Sequence, residues 1–228
     1  MEHTVNLHPV PEAFPRHVGI IPDGGRRWSL KHGCSLKDAY IQTKHRLREF
    51  VGLLLDREIR EISIYLSSIQ NFRREPAELD SNLMLVESSL SNEISEIARL
   101  QCLRVVIAGN REILPKSLYN AILSIEKSTF SNTRGRLNLL IAYDPYQEII
   151  QAIKATDDPV LFYRQMKITT PVDLVIRSGG APLLSNFLPL QSAYARLFFF
   201  DKLFNELTIE DFEGVLNDFQ RTIRKFGE

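Results

Sequence analysis

Aspartate, arginine and asparagine side chains gather at three places in this sequence, and each place follows a short apolar segment. Within HVGIIPDGGRRW, Asp23, Arg26 and Arg27 come directly after the apolar run 18–21. The other two sets are Asn71 with Arg73 and Arg74, and Arg177 with Ser185 and Asn186. One carboxylate beside several guanidinium groups, without His or Cys, suits the binding of a diphosphate, because the carboxylate can hold Mg²⁺ while the arginines neutralise the phosphates.

The turn formed by Gly24 and Gly25 strengthens the first of these sets. Glycine lets backbone N–H groups approach an anion closely, and a helical pattern begins near Trp28. A short glycine-rich turn is a weak signal, however, and an ordinary βα turn with a solvated arginine pair accounts for it equally well. The glycine turn alone therefore does not distinguish an anion site from an ordinary βα turn, and the rest of the sequence is needed.

Strand and helix patterns alternate along the chain. The predicted strands are 18–21, 61–67, 103–109, 136–143, 172–177 and 198–200. The predicted helices are 29–56, 76–100, 115–130, one that begins at 147–154, and 208–226. This alternation predicts an α/β fold with a mostly parallel six-stranded sheet surrounded by helices. Because ligands bind outside the carboxyl ends of parallel strands, the three polar sets are expected to meet at one edge.

Composition limits the kind of protein. The 228 residues suit one domain, predicted over 17–228 after an N-terminal arm at 1–16 that contains three prolines. The 28 basic residues balance the 28 acidic ones, so we expect no nucleic-acid partner. Two cysteines indicate neither a disulfide framework nor a metal cluster, and no apolar run approaches about 18 residues. We therefore expect a cytoplasmic protein without stable membrane insertion.

Three motifs, in the same order, resemble those of the cis-prenyltransferase family, which includes undecaprenyl diphosphate synthase. HVGIIPDGGRRW is similar to the family's HxxxxMDGNxRW, and SIYLSSIQNFRREP is similar to LYxFSxENWxRP. DLVIRSGGAPLLSNFLPLQSAY is similar to DLxIRTSGExRLSNFLxWQxAY. The resemblance runs from about residue 17 to the end. It implies a six-stranded parallel sheet with an apolar tunnel between sheet and helices, a homodimer, Mg²⁺ as cofactor and allylic diphosphates as substrates.

The resemblance also implies roles for individual residues. Catalytic roles are expected for Asp23, Asn71, Arg74 and Tyr40, with Asp23 also the metal ligand. Substrate binding is expected for Gly24, Gly25, Arg26, Arg27, Phe72, Arg177, Ser178, Gly179, Ser185, Arg196 and, near the C-terminus, Arg224.

The sequence departs from the family's pattern at several of its functional positions. On the donor side Gly25 replaces Asn, Leu36 replaces Arg, Tyr40 replaces His and Phe72 replaces Trp. On the acceptor side Ala181 replaces Glu, Leu183 replaces Arg, Leu190 replaces Trp and Arg196 replaces Glu. Losing an arginine that grips a diphosphate costs about 1.5–3 kcal/mol per charge-assisted hydrogen bond. An isopentenyl diphosphate site of the usual form is therefore not expected.

These departures favour a changed acceptor over a lost activity, because a non-catalytic chain would not need Asp23, Arg27, Arg74 and Arg177. In this the chain resembles the branch of lavandulyl and cyclolavandulyl diphosphate synthases, and the resemblance implies condensation of two dimethylallyl diphosphates, head-to-middle and with cyclisation left open, to a ten-carbon product. The departing diphosphate would take the final proton, with Tyr40 or Asn71 as orienting groups. An ordinary short-chain cis-prenyl synthase that uses isopentenyl diphosphate, or a non-catalytic partner subunit, are the alternatives.

Overall fold

Six parallel strands form the centre of the molecule in a computed structural model, which describes residues 14–73 and 75–221. In chain order they are β1 (His17–Ile21), β2 (Glu61–Tyr65), β3 (Leu103–Ala108), β4 (Gly135–Leu140), β5 (Leu174–Arg177) and β6 (Arg196–Phe199). Their order across the sheet is β3-β4-β2-β1-β5-β6, and every neighbouring pair is parallel. The predicted six-stranded α/β sheet is confirmed.

Seven α-helices accompany this sheet within the described residues. They are α1 (Gly25–His32), α2 (Leu36–Asp56), α3 (Pro76–Ser89), α4 (Ser95–Leu100), α5 (Lys116–Thr129), α6 (Pro145–Lys154) and α7 (Ile209–Gln220). Short 3₁₀ segments occupy Ile69–Arg73, Pro159–Gln165 and Phe204–Glu206. None of the helices in the described parts of the chain has the length and hydrophobicity that a bilayer span requires.

Two long helices predicted from apolar spacing are interrupted in the structure. The predicted helix 29–56 is divided, because Gly33 ends α1 with a left-handed φ of 60° and Ser35 caps α2 by accepting a hydrogen bond from the Asp38 N–H. The predicted helix 76–100 contains one π-helical turn, Leu90–Ile94, between α3 and α4. Spacing alone did not reveal the π-helical turn because the apolar stripe continues across it, whereas Gly33 and Ser35 were local signals for the break after α1.

The core lies mainly on one face of the sheet. Alternate strand residues, such as Val18, Ile20 and Ile62, are fully buried there against α2 and α7. The rings of Phe50 and Phe212 stack at a centroid distance of 3.7 Å and join these two helices. Full burial of each such side chain contributes about 1.5–3 kcal/mol, so this packing fixes the strands whose ends carry the predicted site.

A buried polar row crosses three strands on the other face. The Nδ1 of His17 lies near the carbonyl oxygens of Thr170 and Pro171, which only accept, so Nδ1 carries the proton and Nε2 accepts from the Ser63 hydroxyl at 2.7 Å. Asn138 donates to the same Ser63 oxygen at 3.0 Å. Burial lowers the pKa of His17, which keeps the ring neutral.

Gly19, in the central strand β1, is expected to be sensitive to substitution. A Cβ there would lie 2.5 Å from Cε1 of the fully buried Phe187 ring, whereas a Cβ at Gly52 in α2 would meet nothing within 4 Å. Gly19→Ala should lower the free energy of unfolding by about 1–3 kcal/mol through overpacking. Gly52→Ala should raise it by about 0.5–1 kcal/mol, because alanine favours a helix interior. Urea unfolding curves measure both; a Gly19→Ala protein as stable as the parent would contradict the packing.

Candidate active site

An aspartate and two arginines meet at the carboxyl edge of the sheet. The register that pairs Ile21 of β1 with Arg177 of β5 brings the ends of these two strands together. Asp23 then accepts hydrogen bonds on both carboxylate oxygens, from Arg177 Nη2 at 3.0 Å and from Arg27 Nη2 at 3.2 Å. The prediction that these three side chains share one edge is confirmed.

Arg177 is the most constrained of the three. It is buried, and its Nη1 donates to the Leu183 carbonyl and, at 2.7 Å, to the Ser185 hydroxyl oxygen. Ser185 and Asn186 have left-handed φ angles of 49° and 64°, which are uncommon for residues other than glycine. The Nε of Arg177 has no hydrogen-bond partner among the described residues. The strained loop therefore fixes the position of the guanidinium beside Asp23.

Arg27 is held through the turn that follows β5. Its Nη1 donates to the Gly179 carbonyl at 2.7 Å. Gly179 has a φ of +87°, and a Cβ there would lie 2.6 Å from Arg27 Nη2, so glycine leaves room for the guanidinium. The Ser178 hydroxyl donates to the Asp23 carbonyl at 2.8 Å and accepts from the Asp23 N–H at 2.9 Å. Ser178 and Gly179 thus position Asp23 and Arg27, and their predicted contact with substrate stays a prediction.

The N-terminus of α1 opens onto the same site. Gly24 precedes the helix with φ 116° and provides no side-chain cap, so the first N–H groups of α1 remain available. A Cβ on Gly24 would lie 2.8 Å from the Leu203 side chain, which explains the requirement for glycine. The partial positive charge of a helix N-terminus adds to that of Arg27, and both favour an anion.

These groups line a polar cavity of about 840 Å³. Nine of the predicted site residues line it: Asp23, Gly24, Gly25, Arg26, Arg27, Tyr40, Asn71, Arg177 and Ser185. Asn186, from the third of the predicted polar sets, lines the cavity too, and the further polar lining residues, which were not predicted as site residues, are Tyr65, Ser67, Ser68, Gln70 and Asn82. The position of Tyr65 and Ser67 at the end of a predicted strand was the available signal for two of them.

Two of these polar residues hold the loops of the cavity in place. Burial raises the pKa of Tyr65 to about 12, so its hydroxyl stays protonated and donates to the Ser185 carbonyl at 3.1 Å. The Asn71 Oδ1 accepts from the Ser68 N–H at 2.9 Å. This bond leaves the Asn71 amide N–H groups as its donors toward a ligand.

Two predicted site residues lie elsewhere. Phe72 packs against the core and does not line the cavity. Arg196 pairs with Leu174 at the amino end of β5, so it lies at the opposite edge of the sheet, where it binds the carboxylate and carbonyl of Asp218. Arg196 therefore lies away from the polar cavity of its own chain, and its role in gripping the acceptor diphosphate stays a prediction. Arg74 and Arg224 lie outside the described residues.

A second, apolar cavity of about 150 Å³ adjoins the polar one. Its apolar lining includes Leu47, Val51, Ile64, Leu66, Leu85, Val86, Ile94, Ile97, Leu137 and Leu139. On the apolar side of the predicted helix 76–100, Val86 faces this cavity, whereas Leu83 and Leu90 are buried in the core. A continuous tunnel stays a prediction.

Gly25 and Tyr40 line both cavities and lie at their junction. A Cβ at position 25 would be 3.3 Å from Tyr40 Cε1, tighter than an ordinary contact. The Tyr40 hydroxyl donates to Glu78 at 3.4 Å, and Arg26 lies 3.8 Å from the same carboxylate. The two donor-side departures are thus neighbours, and the absence of a side chain at Gly25 makes room for the tyrosine ring.

The donor set fits a magnesium ion bound together with a substrate. Asp23 is the one carboxylate among the residues that line the polar cavity, and the described chain contains no group of three potential metal ligands. Mg²⁺ is commonly held by one or two carboxylates together with substrate phosphates, so Asp23 would hold the ion once a diphosphate is bound.

A parallel α/β sheet whose carboxyl edge joins an anion-binding cavity to an apolar one is suited to ligands that carry a negatively charged group on an apolar tail. The sequence profile of the family described as "Putative undecaprenyl diphosphate synthase" matches residues 21–227. The chain belongs to this family, the cis-prenyltransferases, and is a prenyltransferase.

Individual relatives agree with this assignment. The chain is 33% identical over 230 residues to the geranylgeranyl-diphosphate-specific tritrans,polycis-undecaprenyl-diphosphate synthase of Thermoplasma acidophilum, covering 93% of this chain and 89% of that one. Its fold matches lavandulyl diphosphate synthase from Lavandula x intermedia, solved with dimethylallyl diphosphate, with a TM-score of 0.88, 26% identity and coverage of 95% and 99%. It also matches a probable undecaprenyl diphosphate synthase from Campylobacter jejuni, with a TM-score of 0.80, 25% identity and coverage of 94% and 99%.

The contact between Gly25 and Tyr40 predicts that their substitutions are coupled. Gly25→Asn alone should lower the free energy of unfolding by about 1–3 kcal/mol, because the new side chain meets the ring. Adding Tyr40→His should recover at least about 1 kcal/mol of this loss. Urea unfolding of the double-mutant cycle gives the coupling energy.

Tyr40→Phe provides the control for this cycle. It keeps the ring and removes only the hydroxyl, so Gly25→Asn should cost the same in that background. Additivity of Gly25→Asn and Tyr40→His within about 0.5 kcal/mol would contradict the coupling.

Proposed function

We propose that this prenyltransferase joins two molecules of dimethylallyl diphosphate head-to-middle and forms a ten-carbon irregular diphosphate. The observation that carries the proposal is the asymmetry of the site: the Asp23–Arg27–Arg177 cluster is complete, while the acceptor loop is uncharged at Ala181 and Leu183. The fold shared with a lavandulyl diphosphate synthase that binds dimethylallyl diphosphate supports the same substrate.

The donor half would bind and ionise the first dimethylallyl diphosphate. Arg27 and the N-terminus of α1 face the cavity and would neutralise the leaving diphosphate. Mg²⁺ held by Asp23 would supply further charge neutralisation when bound. Arg177 touches Asp23 and the acceptor loop, so it would hold both halves of the site in register.

The acceptor half would place the second molecule differently from isopentenyl diphosphate. Leu183 and Leu190 stand where the resemblance implies Arg and Trp, and their side chains are exposed. Ser185, Asn186 and Arg177 remain as polar residues that line the cavity on the acceptor side. A shifted diphosphate would bring the internal alkene carbon to the cation, and attack depends on reacting atoms about 3–3.5 Å apart.

The size of the apolar cavity favours a short product. A protein cavity of about 150 Å³ is large enough for one benzene molecule. The cavity beside Tyr40 has this volume, which suits one five-carbon tail rather than a long polyprenyl chain. Two such units, one in the cavity and one at the cation, give ten carbons.

In the last step a proton would pass from the carbocation to the departing diphosphate. Head-to-middle attack leaves a tertiary cation, which loses a proton from a neighbouring carbon or closes a ring. Tyr65 stays protonated and Tyr40 donates to Glu78, so neither hydroxyl serves as the base. The departing diphosphate, held by Arg27, would therefore act as the base, with Tyr40 and Asn71 orienting it.

Asp23→Ala should lower kcat/KM at least about a hundredfold while the protein stays folded, since losing one electrostatic stabiliser of a transition state costs about 2.7 kcal/mol or more. Circular dichroism checks the fold. Asp157→Ala removes the same charge from an exposed position outside both cavities and should leave kcat/KM unchanged. Activity of the Asp23 variant within tenfold of the parent would remove Asp23 from the mechanism.

Incubation with dimethylallyl diphosphate as the sole substrate tests the proposed reaction. With Mg²⁺ the product should be a branched or cyclic ten-carbon diphosphate, identified by mass spectrometry and NMR after dephosphorylation, and chelation by EDTA should abolish it. Parallel incubations contain isopentenyl diphosphate as well. Linear cis products that form only in those mixtures would identify an ordinary cis-prenyl synthase. Failure of every mixture to react would favour the non-catalytic alternative.

A further inference from the structure

Five arginines gather at the edge of the sheet opposite the active site. They line a cavity of about 440 Å³ beside the amino ends of the strands. The lining residues are Arg16, Arg60, Glu61, Arg104, Asn132, Thr133, Arg134, Gly135, Arg136 and Thr170. With one glutamate among them, this cavity is strongly basic although the whole chain carries no net charge.

The strand register explains how the charges come together. His17, Glu61, Arg136 and Arg104 occupy one row across β1, β2, β4 and β3. Neighbouring strands lie about 4.8 Å apart, so Arg136 and Arg104 stand side by side on one face. Like charges directly opposite each other in a sheet are destabilising, and this pair is therefore unfavourable unless an anion joins it.

Arg104, Arg134 and Arg136 find little charge compensation among the described residues. Arg60 pairs with Glu58 at 3.1 Å, and Arg104 stacks on the Phe130 ring at 4.6 Å. Among residues 14–73 and 75–221, no carboxylate forms an ion pair with the side chains of Arg104, Arg134 or Arg136.

The one lining carboxylate is directed partly inward. Glu61 Oε1 accepts from the buried Asn138 amide at 2.9 Å, at the end of the polar row that starts at His17. Asn132, in turn, is fixed by donating to the Ala98 and Leu103 carbonyls. Glu61 and Asn132 are thus held in place in the cavity wall. The guanidinium groups of Arg104, Arg134 and Arg136, which have no ion pair within the described part of the chain, line the same cavity.

We propose that this cavity binds a compact, multiply charged phosphate anion, with a diphosphate group as the recognised unit. Guanidinium forks match phosphate oxygens in bidentate geometry, and several of them would share the charge of one diphosphate. The site is separate from the Asp23 cluster, because strands of five residues at about 3.3 Å per residue place the two edges roughly 17 Å apart. The assignment does not depend on the proposed reaction.

Hydrogen–deuterium exchange of the full chain in EDTA tests the site, with inorganic diphosphate as the probe. Residues 130–135 and 58–61, which border the cavity, should exchange at least threefold more slowly in millimolar diphosphate. Arg104→Gln/Arg136→Gln should abolish this protection and keep any protection at residues 23–28. Arg164→Gln removes the same kind of charge from an exposed position outside the cavity and should behave like the parent.

A second variant keeps the test valid if the double variant does not fold. Arg134 is exposed, and Arg134→Gln should weaken diphosphate binding at this cavity at least threefold without affecting the sheet. Dimethylallyl diphosphate should protect the same residues equally, because the diphosphate group is recognised. Protection by dimethylallyl diphosphate alone, unchanged protection in the double variant, or no protection of the parent would overturn the proposal and leave the arginines as surface charge.

Discussion

The pairing of β1 with β5 is the constraint on which the rest of the site depends. It places Asp23 within hydrogen-bond distance of the buried Arg177, and it lets the turn after β5 hold both the Asp23 backbone and the Arg27 guanidinium. The charge-assisted hydrogen bond between Asp23 and Arg177 is strengthened by the low dielectric around the buried guanidinium. The same strand ends therefore fix the anion-binding groups and the entrance to the apolar cavity.

The sequence predicted most of this edge for a simple physical reason. Parallel strands place their carboxyl ends together, so polar sets that follow separate strands must meet, as Asp23, Asn71 and Arg177 do. The motifs were also short and continuous, and they included the glycines that the turns require. Gly24 and Gly179 are examples, since each has a positive φ and a close neighbour.

The features that the sequence did not predict depend on contacts between distant elements. Arg196 lies at the amino edge because it pairs with Leu174 of β5, whereas its expected role beside the substrate was carried over from the resemblance. Phe72 was assigned to the cavity although packing turns it into the core. The sequence did not predict the arginine cluster at the opposite edge, because these residues are dispersed from Arg16 to Arg136. They come together only through the folding of the sheet, whose register places Arg104 beside Arg136.

The order of the strands also has a consequence for how the molecule acquires its activity during synthesis. Asp23 and Arg177 are 154 residues apart in sequence, and the central strand β1 is completed on one side only by β5. Contacts of such long range form late and slow the folding of a chain. A nascent chain that has released only its first half from the ribosome would hold Asp23 and Arg27 without their partner. Prenyl transfer would therefore begin only after nearly the whole chain has emerged.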